Sequence, residues 1–234
     1  MGPRLMVDDS HQLQEFRDTK HQPANPLLRV VARIISYIFH PLFVPVYIAW
    51  FLINWQPFLF ASFRPAEKLI VLIRFLLMYS FFPLVTVLLA KGLGFIDSIF
   101  LKTQKERIIP YIACGIYYFW MAYVMRNELR FSDEVVDLSI AIFIASSLGL
   151  LFNIYMKISM HAISMGILVA FMTWLSITLP DNFTIFVTAS FLLAGAVCTS
   201  RMIVSDHTAS EIYAGLLVGI ISQVLAIGVN NLLP

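Results

Sequence analysis

Long apolar runs separated by short polar segments dominate the hydropathy pattern of this chain. The first run, Ile34–Trp55, follows two arginines and ends in a tryptophan. Basic and aromatic flanks of this kind are typical of a helix that leaves the hydrocarbon of a membrane. We predict a spanning helix here, kinked at Pro41 and Pro45, because proline interrupts the backbone hydrogen bonds of a helix.

Six further apolar runs follow, each close to the ~20 residues that cross the ~30 Å hydrocarbon core of a bilayer. They cover Leu69–Leu89, Ile108–Met125, Val135–Tyr155, Ser159–Leu179, Phe183–Thr199 and Ile212–Leu233. The connections are short, and no repeat is evident. We predict an all-α integral membrane protein, a single bundle of six to seven transmembrane helices with its active site at one membrane face. A hairpin over 108–155 that did not span would reduce the number to five.

The composition supports a membrane protein. Of the 234 residues, 59% are hydrophobic and 13% are charged, against roughly 45–50% apolar residues in ordinary soluble domains. The mean hydropathy is +0.82, which excludes a soluble single-domain enzyme. The net charge of +2 is too small an excess to predict nucleic-acid binding. Cys114 and Cys198 lie inside apolar runs and are interpreted as small hydrophobic residues.

The chain divides into a polar tail, residues 1–27, and a transmembrane domain, residues 28–234. The tail has mixed charge and lacks the basic start, short apolar stretch and small-residue cleavage site of a signal peptide. Its basic residues favour a cytoplasmic start.

Three connections between apolar runs carry most of the polar residues that a membrane span does not explain. The first, second and third polar connections cover 101–110, 156–162 and 200–211. Two predicted helices separate the first from the second, and two more separate the second from the third. All three should therefore lie on one face of the bilayer, where they can converge into one site.

The polar connections supply the groups that phosphate chemistry requires. The basic residues and histidines singled out are Lys102, Lys105, Arg107, Arg201, His161 and His207. Arginine binds a phosphate bidentately, and lysine acts as a point charge. A neutral imidazole can attack phosphorus, and a protonated one can give its proton to the leaving oxygen. These groups are sufficient without a metal ion.

The spacing of these residues follows a recognisable pattern. In residues 200–211 a serine–arginine pair is followed after five residues by His207 and after three more by Glu211. Residues 158–161 read Ile-Ser-Met-His, and in 102–110 a lysine precedes an arginine by five residues. The pattern resembles the type 2 phosphatidic acid phosphatase superfamily, whose motifs read Lys-x6-Arg-Pro, Pro-Ser-Gly-His and Ser-Arg-x5-His-x3-Asp. The third motif matches in spacing, the second in part, and the first is shortened.

The resemblance implies a phosphohistidine mechanism. His207 would be the nucleophile, oriented and polarised by Glu211, and His161 would protonate the leaving alcohol. The phosphate oxygens would be held by Arg201, Ser159, Arg107 and Lys102, with Lys105 and Ser200 as further candidates. The family analogy implies neither a metal nor another cofactor.

The implied substrate is a membrane lipid with a phosphate or diphosphate headgroup, whose tail stays in the bilayer. By family analogy it is a polyprenyl diphosphate, phosphatidylglycerophosphate, phosphatidic acid or a lipid A phosphate. The expected location is the bacterial cytoplasmic membrane, with no nucleic-acid partner. The sequence leaves the oligomeric state open. Charge counting places the polar connections on the cytoplasmic face, whereas related bacterial phosphatases often work on the opposite one.

Structural interpretations of these residues stay open at this point. His207 and His161 could be packing or interfacial histidines, and Glu211 could complete a capping box with Thr208. The lysines of the first connection could be interfacial anchors. For the whole protein, the alternative function is a non-catalytic membrane protein that binds or transports phospholipid and kept only part of the motifs.

Three further expectations can be addressed by the structure. His40, before Pro41 in the first predicted span, is expected to be a packing histidine. Arg74 lies inside the second span, where it would snorkel, pair across helices or contact lipid phosphate. Arg201 and His207 would be about 240° out of phase on one continuous helix. The phosphatase hypothesis therefore requires a helix break between them.

Overall fold

The computed structural model describes residues 4–7, 13–16, 25–101, 103–204 and 207–232. Within these ranges the chain forms nine α-helices. They are α1 (Pro26–Ile38), α2 (Val44–Trp55), α3 (Pro65–Leu76), α4 (Phe82–Gly92), α5 (Gln104–Asn127), α6 (Asp133–Phe152), α7 (Met160–Thr178), α8 (Thr184–Val204) and α9 (Ala209–Leu232). Two four-residue strands, β1 (Arg4–Val7) and β2 (Leu13–Phe16), pair antiparallel in the tail.

In the described part of the chain, six helical segments are long and apolar enough to cross a membrane. One is Pro65–Gly92, in which α3 and α4 are joined by a π-helical turn, and the other five are α5 to α9. The predicted all-α membrane bundle is confirmed, and both halves of the segment 108–155 belong to helices of spanning length.

The first apolar run forms two helices instead of one kinked span, so the prediction for Ile34–Trp55 is wrong. α1 has 13 residues and α2 has 12, and a turn separates them. Pro41 has no N–H and disfavours the helical conformation in His40 before it. The ring of His40 accepts the Leu42 N–H through Nδ1 at 3.4 Å, which satisfies a backbone donor that the broken helix leaves open.

α7 is the central helix of the bundle, and it touches α9 backbone to backbone. Its most apolar stretch is 67% buried, against 22% for α8. A β-carbon on Gly219 of α9 would lie 2.1 Å from the carbonyl oxygen of Ile163, and one on Gly166 of α7 would lie 2.2 Å from that of Leu216. Small residues at spacing Gly-x-x-x-Gly, here Gly215 and Gly219, permit this approach. The contact fixes the starts of α7 and α9 beside each other.

The three polar connections meet at one end of the bundle. An Arg107 Nη1 donates to the carbonyl of Ile158 at 2.8 Å, which joins the first connection to the second. The backbone N–H of Ser159 donates to the carbonyl of Glu211 at 3.2 Å, which joins the second to the third. The amino-terminal ends of α5, α7 and α9 therefore lie together, and their dipoles favour negative charge at this end.

A network of ion pairs closes the opposite end. Arg74 donates to Glu128 at 3.0 Å, and Arg130 bridges Glu128 at 2.8 Å and Glu67 at 3.1 Å. Of the three possibilities that the sequence left open, Arg74 pairs across helices. The two polar ends thus enclose the apolar length of the bundle.

Candidate active site

A cavity of about 620 Å³ lies where the polar connections meet. The basic residues and histidines that line it are Arg33, His40, Arg107, Lys157, His161, Arg201 and His207. The apolar walls come from α2, α4, α5, α6 and α7, and they reach Tyr118. From Arg107 to Tyr118 the cavity extends about 16 Å along α5, at ~1.5 Å of rise per residue. It is therefore polar at one end and hydrocarbon-like along its depth.

His207 stands in the gap between two helices. α8 ends at Val204 and α9 begins at Ala209, which supplies the helix break that the phosphatase hypothesis requires. The His207 side chain is 3% exposed, and its Nδ1 lies 3.1 Å from Oε2 of Glu211. Because a carboxylate only accepts hydrogen bonds, Nδ1 carries the proton of the neutral ring. The lone pair is then on Nε2, the nitrogen suited to nucleophilic attack.

Glu211 both orients the histidine and caps a helix. Its Oε2 accepts the backbone N–H of Thr208 at 3.0 Å, and its own N–H donates to Oγ1 of Thr208 at 3.3 Å. This is a capping box at the start of α9. The two interpretations that the sequence set against each other are compatible, since one carboxylate fulfils both.

The surroundings of His207 favour its neutral form. Burial lowers the pKa of His207, the Glu211 hydrogen bond raises it in part, and the charges of Arg107 and Arg201 lower it further. The net result is a pKa of His207 below the ordinary value of 6.5. The ring is therefore neutral at pH 7, the state in which Nε2 can act as a nucleophile.

His161 lies at the start of α7, on the wall of the same cavity. Its Nε2 is 3.1 Å from the carbonyl oxygen of Ser36 in α1. Because a carbonyl only accepts, Nε2 is the donor, and Nδ1 remains as the nitrogen that can gain or release a proton. The ring centroid of His161 lies 5.2 Å from that of His40, in an edge-to-face contact.

Three basic side chains reach the polar end from three different elements. Arg107 is 6% exposed in the first turn of α5, where its Nε donates to the carbonyl of Leu101 at 3.0 Å. Arg201 comes from the last turn of α8. Lys157, which is 8% exposed, comes from the loop before α7. We call Arg107, Lys157 and Arg201 the cation cluster.

Three of the basic residues and histidines that line the cavity, Arg33, His40 and Lys157, had no site role predicted from the sequence. Arg33 was only one of the two arginines before the first apolar run. Lys157 lies in the second polar connection, one residue before the motif-like segment 158–161. That position in the sequence could have indicated a role in the site. His40 was expected to pack, yet it lines the cavity beside His161. The break between α1 and α2 brings it there, whereas the sequence pattern predicted a single kinked helix.

The lysines proposed from the first connection do not both fall in the site. Lys102 lies outside the described residues. Lys105 is exposed and is absent from the cavity wall. It precedes Arg107 by two residues, which places the two side chains about 200° apart around α5. Only one of them can therefore face the cavity, and that one is Arg107.

The two candidate serines use their hydroxyls within the fold. Oγ of Ser159 accepts the N–H of Ala162 at 3.4 Å as the amino-terminal cap of α7. Oγ of Ser200 donates to the carbonyl of Ala196 at 2.8 Å, and this residue faces a small groove between α1 and α8. Neither serine is among the residues that line the cavity.

The side chains at the polar end of the cavity determine what it can bind. Among the described residues, no group of three or more His, Cys, Asp or Glu side chains is placed to hold a metal ion. The groups at the polar end are instead imidazoles, guanidinium groups and one ammonium, all suited to an anion. Comparison with family models, curated proteins and solved structures finds no match to this chain.

Proposed function

We propose that this protein hydrolyses a lipid phosphate monoester or diphosphate through a phosphohistidine intermediate, without a metal ion. One observation carries the proposal. The His207–Glu211 pair lies in a cavity that also holds His161 and the cation cluster. A nucleophile, an acid–base group and several donors for phosphate oxygens are the parts that phosphoryl transfer requires.

In the first step, the Nε2 lone pair of His207 attacks phosphorus, and the bond from phosphorus to the lipid oxygen breaks. The Nδ1–H of His207 remains hydrogen-bonded to Glu211, and the carboxylate offsets the positive charge that forms on the ring. His161 takes up a second proton, on Nδ1, when the anionic substrate binds beside it, and this proton passes to the departing oxygen, which leaves as the lipid alcohol or, from a diphosphate, as the lipid monophosphate. The cation cluster stabilises the charge on the other phosphate oxygens.

In the second step, a water molecule attacks the phosphorus of the phosphohistidine. The now neutral Nδ1 of His161 takes a proton from this water, and the bond between phosphorus and Nε2 of His207 breaks. Inorganic phosphate leaves together with the Nδ1 proton of His161, and both histidines return to their neutral starting states. One group thus acts first as the acid and then as the base.

The depth of the cavity supports a lipid as the substrate. Below the cation cluster the walls are mostly apolar, with Val44, Ile48, Leu84 and Ile167 among the lining side chains. A hydrocarbon tail gains free energy in such surroundings, while the charged headgroup requires the polar end. The cavity therefore fits an amphipathic phosphate better than a small soluble one.

Release of inorganic phosphate from the purified protein in detergent, in the presence of EDTA, tests the proposal. The substrates are a short-chain phosphatidic acid and a prenyl diphosphate, and the expected product is one phosphate per lipid consumed. Loss of the activity on chelation would contradict the metal-independent route. Recovery of both lipids intact, although bound, would instead support the alternative of a non-catalytic phospholipid-binding protein.

Lys157 and Lys105 form a matched pair for testing the cation cluster. We expect Lys157→Gln to lower kcat/KM roughly 10- to 100-fold, because it removes a charged hydrogen-bond donor from the cavity. Lys105→Gln should stay within about 2-fold, since surface substitutions away from a site have small effects. Steady-state kinetics of the two variants measure the difference. Equal losses in both would show that Lys157 has no special place in the site.

A further inference from the structure

The break between α1 and α2 brings a third imidazole to the polar end of the cavity. His40 lines the cavity, and its ring stands edge-on to that of His161 at 5.2 Å. The neighbouring residues Pro41 and Leu42 hold the turn, in which the Leu42 N–H donates to Nδ1 of His40 at 3.4 Å. The position of this ring is therefore fixed by local backbone structure.

That hydrogen bond also decides which nitrogen of His40 carries the proton. A backbone N–H only donates, so Nδ1 is the acceptor and Nε2 bears the hydrogen of the neutral ring. In the part of the chain that the structure describes, no protein group accepts a hydrogen bond from Nε2 of His40. Because His40 is half-buried and lines the cavity, an anion bound there would supply an acceptor for this N–H.

The electrostatic surroundings keep this ring a neutral donor. Burial lowers the pKa of His40 to about 4, with a further contribution from the charge of Arg201. The ring is therefore uncharged at pH 7. A neutral N–H beside Arg201 can bind an anion without adding like-charge repulsion to the cation cluster.

We propose that Nε2–H of His40 binds a non-bridging oxygen of the substrate phosphate, next to the oxygens held by the cation cluster. This inference rests on the proposed function, because it takes a phosphate group as the ligand of the cavity. It assigns to His40 a binding role that the three sequence motifs do not contain. The anion pocket then takes donors from the turn between α1 and α2, from α5, from the loop before α7 and from α8.

Two substitutions at His40 test separately the contribution of the Nε2–H donor and that of the aromatic ring. His40→Phe keeps an aromatic contact with His161 and removes the donor, whereas His40→Gln places an amide N–H near the position of Nε2. Phe43→Leu is the control, since Phe43 touches the ring of His40 with a centroid distance of 6.2 Å and is absent from the cavity wall. All three proteins are compared with the wild type in detergent.

Two readouts are measured. The first is the rise in unfolding temperature with increasing inorganic phosphate, which reports binding without turnover. The second is steady-state kinetics with a short-chain phosphatidic acid, which gives the changes in kcat and in KM separately. We expect His40→Phe to weaken phosphate binding and raise KM about tenfold or more, with kcat within about 3-fold. His40→Gln should recover most of the loss, and Phe43→Leu should behave as the wild type.

The outcomes distinguish this inference from the proposed hydrolysis. Equal phosphate affinity in the wild type and His40→Phe overturns the role of His40, whether or not phosphate is released. A loss in His40→Gln as large as in His40→Phe also overturns it, because the N–H would not be the binding group. Phosphate protection that depends on His40, without any hydrolysis, supports this inference and contradicts the catalytic proposal. A wild-type protein that phosphate does not stabilise contradicts the His40 inference.

Discussion

His207→Ala is expected to reduce phosphate release by roughly 10⁴-fold or more, the scale seen when an enzyme loses its nucleophile. The loss follows from the geometry, since Glu211 fixes Nδ1 of this ring and leaves Nε2 as the attacking atom. With a substrate labelled at phosphorus, the wild-type protein should carry label after a rapid alkaline quench. A phosphorus–nitrogen bond survives alkali and breaks in acid, so acid should remove the label, and His207→Ala should show none.

Ser200→Ala is the control for this experiment. It lies in the same polar connection, but its hydroxyl donates within α8 to Ala196. Phosphate release should therefore stay within about 3-fold of the wild type, because the substitution lies away from the cavity. Label on His207→Ala equal to that on the wild type would mean that another residue is the nucleophile. Unchanged phosphate release in that variant would contradict the mechanism as a whole.

The spans could be predicted from the sequence because each depends only on the length of an apolar run. The first run failed for a local reason. Pro41 and Pro45 together remove two backbone donors within one helical turn, and the hydropathy of Ile34–Trp55 does not reveal whether the helix bends or ends. In the structure it ends, and the turn that results carries His40 into the cavity.

The third motif predicted more of the site than the other two. Its residues lie within 12 positions, so their spacing alone places His207 beside Glu211 and requires a helix break before them. Lys157 and Arg107 come together only through tertiary contacts, such as the bond from Arg107 to the carbonyl of Ile158, 51 residues away. The pairing of Arg74 with Glu128, 54 residues away, could not be predicted from local sequence either, because it too depends on a tertiary contact.

The sequence also does not determine the rotation of a helix about its axis, and therefore which of its side chains face the cavity. Lys105 and Arg107 are both candidate phosphate ligands in the sequence, but a helix that begins at Gln104 turns one inward and the other outward. Ser200 and Arg201 differ in the same way on α8, because adjacent residues are about 100° apart. Motif spacing therefore identifies the segment, and packing decides which side chain reaches the ligand.

The contact between α7 and α9 is expected to be the most sensitive structural element of the site. A β-carbon on Gly219 would lie 2.1 Å from the carbonyl oxygen of Ile163 and 2.8 Å from the backbone nitrogen of Ile167. Backbone atoms cannot move aside as a flexible side chain can, so Gly219→Ala has to push the helices apart. Overpacking of this kind costs about 3 kcal/mol, which unfolding in detergent measures directly.

Gly228→Ala is the matched control, because it lies on the same helix with no atom within 4 Å of an added β-carbon. It should be neutral or stabilise by up to about 1 kcal/mol through helix propensity. The two variants also distinguish an effect on stability from an effect on the relative position of α7 and α9. His161 begins α7 and His207 precedes α9, so a shift of ~1 Å between these helices should lower phosphate release about 100-fold in folded Gly219→Ala protein. Equal stability and activity in both variants would mean that this glycine contact does not hold the two histidines in place.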